Sequence, residues 1–187
     1  MNFDRAKEYL KQIICAEFDE RNTELVMGIT TVKQEMNKRG LLPSSITLQN
    51  ISELFTIEFR ERCIFVRDLI LSLAEKVDFK EISDPVTEVL TFFQDIVFLE
   101  KDNLLEIYNS SIKNIKDSLL LSSLSNEVDS LLHDSFVRLV NKNNAIITFE
   151  YTAIFTKTEK REIIVLKPNF YGIQIDIKEL IHKVFKG

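Results

Sequence analysis

Apolar residues recur at intervals of three and four positions along much of this chain, and this spacing constrains its fold more than any other feature. Between Phe3 and Met36 they keep the phase of a single face. Because an α-helix turns once every 3.6 residues or so, such a stripe lies along one side of a helix. Only 4 Gly and 3 Pro occur among 187 residues, so few positions interrupt helices. The sequence therefore predicts long helices and excludes sandwiches and propellers, which need frequent tight turns.

Two helix boundaries carry recognisable signals. The first apolar stripe predicts one long helix or two collinear ones broken near Arg21 and Asn22, and Gly40 predicts its end. Asp84 and Pro85 predict the start of the third helix, as its N-cap and its first helical residue. The second helix, over about 45–77, is apolar on more than one face, which is typical of a central helix. A shorter fourth helix follows a serine-rich link at 122–125.

The pattern changes after residue 144. From Ala145 to Thr156, β-branched and aromatic residues alternate with polar ones, and this period of two is typical of a strand. Two shorter segments follow, Glu162 to Leu166 and an alternating one around Ile173 and Ile175, and together they predict a three-stranded antiparallel β-meander. Asp176 and Glu179 then form a capping-box signature for a last helix.

These segments together predict an α+β fold that is mainly α. An elongated antiparallel bundle of long helices would cover residues 1–142, and the small β-meander with its C-terminal helix, residues 143–187, would pack on the bundle. The net charge is −8 before Lys142 and +3 from Lys142 onward, so we expect the two parts to attract each other or a neighbouring subunit.

Composition favours a cytoplasmic protein. The first turns carry Asp4 and Glu8 rather than the basic and apolar start of a secretory signal, and no apolar run is long enough to span a membrane. Cys15 and Cys63 are not in a C-x-x-C pair, so a disulfide framework is not expected. We interpret each cysteine as a small buried apolar residue.

Two pairs of carboxylates offer a candidate metal site. Glu58 and Glu61, and then Glu75 and Asp78, form an E-x-x-E and an E-x-x-D motif. The pair resembles the motifs with which all-helical nucleoside triphosphate pyrophosphatases bind magnesium, a cation that prefers oxygen ligands. The resemblance covers some twenty residues, and that family places its two motifs on different helices. On one continuous helix Glu58 and Glu75 would lie roughly 26 Å apart.

Three arginines lie close together in the second helix. Arg60, Arg62 and Arg67 fall within eight residues, and Glu61 and Asp68 stand among them on faces expected to be buried. Buried charges must be paired or must meet a partner, because an isolated one costs several kcal/mol. The sequence therefore leaves two alternatives, an internal network of ion pairs and an interface or anion-binding patch.

The apolar surface of the long helices exceeds what a few helices need to cover one another. Phe92, Phe93, Phe98 and Leu99 follow in near succession on the third helix. Such a surplus is typical of a subunit interface, and we expect a homodimer or a complex with another protein.

The most favoured function is a non-enzymatic protein-protein interaction or adaptor protein without a cofactor. The alternative is a magnesium-dependent hydrolase, similar to the pyrophosphatases, built on the four carboxylates. A third hypothesis is weak nucleic-acid binding by the basic C-terminal part, although the overall charge of −5 makes this unfavourable. The remaining titratable candidate, His133, is interpreted as a partly buried helix residue bonded to Asp129 or to a backbone carbonyl.

Overall fold

The computed structural model describes residues 2–73, 76–79, 82–118 and 122–157. They form four α-helices, α1 (Phe3–Lys38), α2 (Ser45–Leu73), α3 (Pro85–Ser118) and α4 (Ser122–Lys157). Among these residues, the only β-type backbone pairing is an isolated bridge between Asn2 and Asp78, and they form no sheet. The described part of the chain is therefore an all-α, bundle-like fold.

The first helix begins and ends at side chains and backbone groups suited to those positions. Asn2 caps its start, where the side-chain oxygen accepts a 3.0 Å hydrogen bond from the backbone of Arg5. At the other end Gly40 adopts a φ of 69°, and the backbone N–H of Leu41 donates to the carbonyl of Met36 at 2.8 Å. This is a Schellman ending, which confirms the prediction from Gly40. The helix is continuous through residues 21 and 22.

The second and third helices also start at polar caps. The hydroxyl of Ser44 accepts a hydrogen bond from the backbone of Thr47 at 3.3 Å. The carboxylate of Asp84 accepts bonds from the backbone and from the hydroxyl of Thr87, at 3.1 and 2.6 Å, so the predicted start at Asp84 and Pro85 is confirmed. These bonds lower the pKa of Asp84, because they favour its charged form.

The helices alternate in direction, because contacts along α2 meet α1 and α3 in reverse order and α4 in the same order. The second helix packs against all three others. The ring of Phe59 in α2 stacks on that of Phe136 in α4 with centroids 4.2 Å apart, and Phe55 meets the ring of Tyr108 in α3 at 5.3 Å. All four rings are fully or almost fully buried. The expectation of a central second helix agrees with this packing.

The predicted α+β fold is wrong for residues 145–157, which belong to α4 instead of a β-meander. Ile147 and Tyr151 are buried and Ile154 is half-buried, so their spacing of four and three fits a helical face. Phe149 distinguishes the two alternatives. A strand would place it beside Ile147 and Tyr151, whereas in α4 it points away from them and is 71% exposed. Packing on α2, where the hydroxyl of Tyr151 donates to the carbonyl of Ile70, outweighs the β propensity of this segment.

The predicted fourth helix is also too short, because α4 begins at Ser122, inside the expected serine-rich link, and runs for 36 residues. The expected boundary between residues 142 and 143 falls within this helix. The rest of the predicted meander and the last helix, residues 158–187, lie outside the described residues. Among the described helices, none has the length and apolar character needed to cross a membrane.

Candidate functional site

Arg62 lies at the centre of the bundle, where α1, α2 and α3 meet. Its side chain is fully buried, and its guanidinium lies 5.0 Å from the centre of the Phe18 ring. The guanidinium donates to Glu58 at 2.7 Å, to Asn22 at 3.1 Å and to Glu100. All three of its nitrogens are thus bonded to protein oxygens, and each of the three helices supplies at least one of these acceptors.

Further charged groups extend this arginine cluster towards the surface. Arg21 lies 3.6 Å from the second carboxylate oxygen of Glu58 and donates to Glu17 at 2.8 Å. On the other side the amide of Asn103 donates to Glu100 at 3.3 Å. The result is a chain of alternating charges that begins half-buried on α1 and ends inside α3.

Burial raises the pKa of Glu100, and the attraction of Arg62 opposes that rise. The cluster contains two guanidinium groups and the carboxylates of Glu17, Glu58 and Glu100, so one negative charge is in excess when all are ionised. The nearby charge of Glu58 also disfavours ionisation of Glu100. Each buried charge in such an arrangement requires its partner, because removing one of them would leave an uncompensated charge inside the bundle.

The predicted five-residue patch is divided among three environments. Arg62 is internal, whereas Arg60 and Glu61 form an exposed pair 3.2 Å apart. Arg67 pairs with Asp68 at 2.7 Å and also donates to Asn143 of α4 at 3.1 Å. Burial raises the pKa of Asp68, opposed by the attraction and hydrogen bonding of Arg67. The structure therefore does not bring the five side chains together on one surface.

The two predicted acidic motifs are likewise not brought together at Glu58 and Asp78, the members whose contacts the structure describes. Glu58 is paired with Arg62, and α2 runs unbroken beyond it to Leu73. Glu75 lies outside the described residues, and Asp78 pairs through its backbone with Asn2 at the start of α1. Glu58 contacts Arg21 of α1, whereas Asp78 contacts Asn2. These two positions on α1 are roughly 28 Å apart along the helix. Within the described residues no group of three or more His, Cys, Asp or Glu could hold a metal ion.

The remaining titratable candidates occupy different environments. His133 is exposed, and Asp129 accepts hydrogen bonds from Tyr108 and Lys116 instead. Cys63 is buried, which raises the pKa of its thiol to about 12, while Cys15 is exposed. The interpretation of the cysteines as buried apolar residues therefore holds for Cys63 and fails for Cys15.

The outer side of α3 carries two large apolar side chains in contact with solvent. Phe98 is 44% exposed and Leu99 is 66% exposed, whereas Phe92 and Phe93 of the same apolar run are buried. They lie in the middle of a helix of 34 residues. Two of the four apolar residues that the sequence singled out thus pack in the core, and Phe98 and Leu99 remain exposed to solvent.

Exposed carboxylates surround this apolar pair. Asp95, Asp102 and Glu106 stand four residues before, three after and seven after Leu99, and so share its face of the helix. The ammonium of Lys101 lies 5.5 Å from the centre of the Phe98 ring and 3.5 Å from Asp102. We call the surface formed by Asp95, Phe98, Leu99, Asp102 and Glu106 the α3 outer face.

Sequence reasoning misses the partners of the buried charges. Glu100, Asn22 and Asn143 lie 38, 40 and 76 residues from the arginines to which they bond, and only the tertiary fold brings them together. One signal was available. Glu100 falls between Val97 and Leu104 on the apolar stripe of α3, where a charge requires a buried partner.

No protein-family model, no curated protein and no solved structure matches this chain. We therefore infer its function from the geometry of its side chains.

Proposed function

We propose that this protein is a non-enzymatic interaction protein that binds another protein through the α3 outer face. The observation that supports this proposal is the exposure of Leu99 and Phe98, side by side in the middle of a long helix. Covering a leucine side chain typically contributes about 1.5–3 kcal/mol. A partner that covers both side chains would gain more binding free energy than one that covers a single isolated apolar residue.

The composition of the α3 outer face resembles the anatomy of a small binding surface. Apolar side chains form its centre and carboxylates form its edge, which is the usual arrangement of a core and a polar rim. Leu131 and Phe149 of α4 are exposed to a similar degree, but they lie 18 residues apart on their helix. They therefore offer isolated contacts, whereas Phe98 and Leu99 offer adjacent ones.

Val26 and Met27 of α1 form a second adjacent exposed pair, at 52% and 58%. Thr30, Thr31 and Gln34 occupy the turns after this pair, whereas carboxylates stand both before and after Leu99. We favour the α3 outer face because its apolar pair has a charged rim on both sides.

A cytoplasmic location belongs to the same proposal. Both cysteines are free thiols in the structure, and Cys15 is exposed. Unpaired, exposed thiols persist in a reducing compartment, where disulfides are rare.

Site-specific photo-crosslinking tests the binding role. A photoreactive amino acid at position 99 should capture a discrete protein in the native host, and the same group at position 131 should not. The captured protein, once purified, should bind the wild-type chain and lose most of its affinity for Leu99→Asp. Equal binding of wild type and Leu99→Asp, or the same products from both positions, would contradict the proposal.

A further inference from the structure

We infer that the α3 outer face binds a positively charged amphipathic helix of its protein partner. Apolar side chains of that helix would cover Phe98 and Leu99, and its Lys or Arg side chains would pair with Asp95, Asp102 and Glu106. This inference rests on the proposed function and specifies the chemistry of the partner.

The spacing of the α3 outer face fits a helix laid along it. Asp95, Leu99, Asp102 and Glu106 follow at intervals of four, three and four, so they form one stripe over three turns. The stripe is roughly 16 Å long. A partner helix that repeats apolar residues every three or four positions would meet this stripe with matching periodicity.

The charge of the α3 outer face favours a basic partner. Of its three carboxylates, Asp102 alone has an ion-pair partner among the described residues, and its side chain is still 73% exposed. Asp95 and Glu106 are exposed as well. Exposed carboxylates keep their hydration until a cation approaches, and they speed the encounter with a positively charged segment more than they add to its affinity.

The same charges disfavour a second copy of this chain as the occupant. In an antiparallel twofold contact centred on Leu99, Asp95 of one copy would lie beside Asp102 of the other. In a parallel twofold contact each carboxylate would lie beside its own counterpart. Like charges placed directly opposite one another oppose association. Nucleic acids and anionic membranes carry the same sign as this face and would be repelled too. The expected homodimer, if it forms, would therefore use another surface.

A peptide titration tests this inference on the full-length protein. The probe is a fluorescent, roughly 18-residue peptide of Leu and Lys, arranged as an amphipathic helix of five turns. Its counterpart replaces every Lys with Glu in the same register. By fluorescence anisotropy we expect the Lys peptide to bind at least about tenfold more tightly than the Glu peptide, and its affinity to fall as salt rises.

Substitutions on the α3 outer face should reduce binding of the Lys peptide. Leu99→Asp should weaken it at least about tenfold, because an apolar contact is lost. The triple variant Asp95→Asn, Asp102→Asn and Glu106→Gln should weaken it about threefold to tenfold and flatten its salt dependence. All four positions are exposed, so these variants should fold like the wild type, which circular dichroism checks.

Two matched controls separate this site from general electrostatic attraction. Leu131→Asp places the same charge at another exposed leucine, in α4. The triple variant Asp19→Asn, Glu20→Gln and Glu24→Gln removes three exposed carboxylates of α1, next to its exposed pair Val26 and Met27. Both should bind the Lys peptide within about twofold of wild type.

Several results would overturn the inference. They are equal affinity for the Lys and Glu peptides, no binding of the Lys peptide, or the same weakening in the α1 and α3 triple variants. A crosslink from position 99 to this chain's own residues 158–187 would also overturn it, in favour of an internal occupant. If crosslinking at position 99 still captures a partner that depends on Leu99, the proposed function stands and only the charge of the partner is wrong. If neither experiment shows binding, both fail.

Discussion

Leu99 and Glu100 are neighbours in sequence and occupy opposite environments. Leu99 is 66% exposed on the outside of α3, whereas Glu100 is 6% exposed inside the bundle. Polarity alone would place them the other way round. The difference follows from the phase of the helix, because consecutive residues point about 100° apart and the buried face of α3 lies on the side of Glu100.

The buried stripe of α3 decides which residue faces inward. Val97 and Leu104 are buried on either side of Glu100 in sequence, and Tyr108 continues the same face. With this face turned to α2, Glu100 meets Arg62 and Leu99 meets water. The buried charge has partners within the chain, while the exposed apolar side chain has solvent. This contrast separates a side chain that holds the fold from one that is available for binding.

Arg62→Ala should cause the largest loss of stability. It leaves Glu58 and Glu100 without their main cation, and removing one member of a buried ion pair typically costs about 3–5 kcal/mol. Urea unfolding at neutral pH measures the change. Arg60→Ala is the matched control, because the Arg60–Glu61 pair is exposed and should cost only about 0–1 kcal/mol. Similar losses for the two variants would show that Arg62 is not buried as described.

Leu104→Ala and Leu99→Ala compare the inner and outer sides of α3 with the same substitution. Leu104 is fully buried, so its truncation should cost about 2–5 kcal/mol of unfolding free energy. Leu99→Ala should stay within about 0.5 kcal/mol of wild type. Equal costs in urea unfolding would contradict the orientation of the helix.

Glu100→Gln should change how stability depends on pH. The folded chain raises the pKa of Glu100 above its ordinary value of 4.5, so folding favours the protonated form. The stability that this proton contributes is present at low pH and is lost as pH rises through the raised pKa. Gln stays neutral throughout. The stability of Glu100→Gln relative to wild type should therefore increase from about pH 4 to about pH 7. A decrease over this range in urea unfolding would mean that Arg62 lowers the pKa instead.

The sequence predicts a helix correctly where its apolar stripe and its capping residues indicate the same boundaries. Gly40 and Asp84 mark ends that the structure confirms, and the apolar stripe of α3 predicts which side is buried. It misleads at residues 145–157, because Ile147 and Tyr151 satisfy both a period of two and a helical spacing. Only packing against α2 decides between these alternatives, and that packing depends on residues distant in sequence.

The candidate site is less predictable than the fold. The sequence singles out Arg62, but its acceptors on α1 and α3 follow only from the way the three helices assemble. The apolar surplus on α3 is visible in the sequence as well. The stripe predicts that Phe93 and Val97 face the core, but how far Phe98 and Leu99 stay exposed depends on how the neighbouring helices cover the edges of that face.

Thiol labelling at position 99 tests the central claim, that Leu99 is an exposed contact for a basic segment. In a Cys15→Ser background the remaining Cys63 is buried with a raised pKa and should react slowly. A thiol introduced by Leu99→Cys should react as fast as one introduced by Leu131→Cys. The Lys peptide should then slow labelling at position 99 and leave position 131 unchanged. Slow labelling at position 99 without peptide, or equal protection of both positions, would contradict the account.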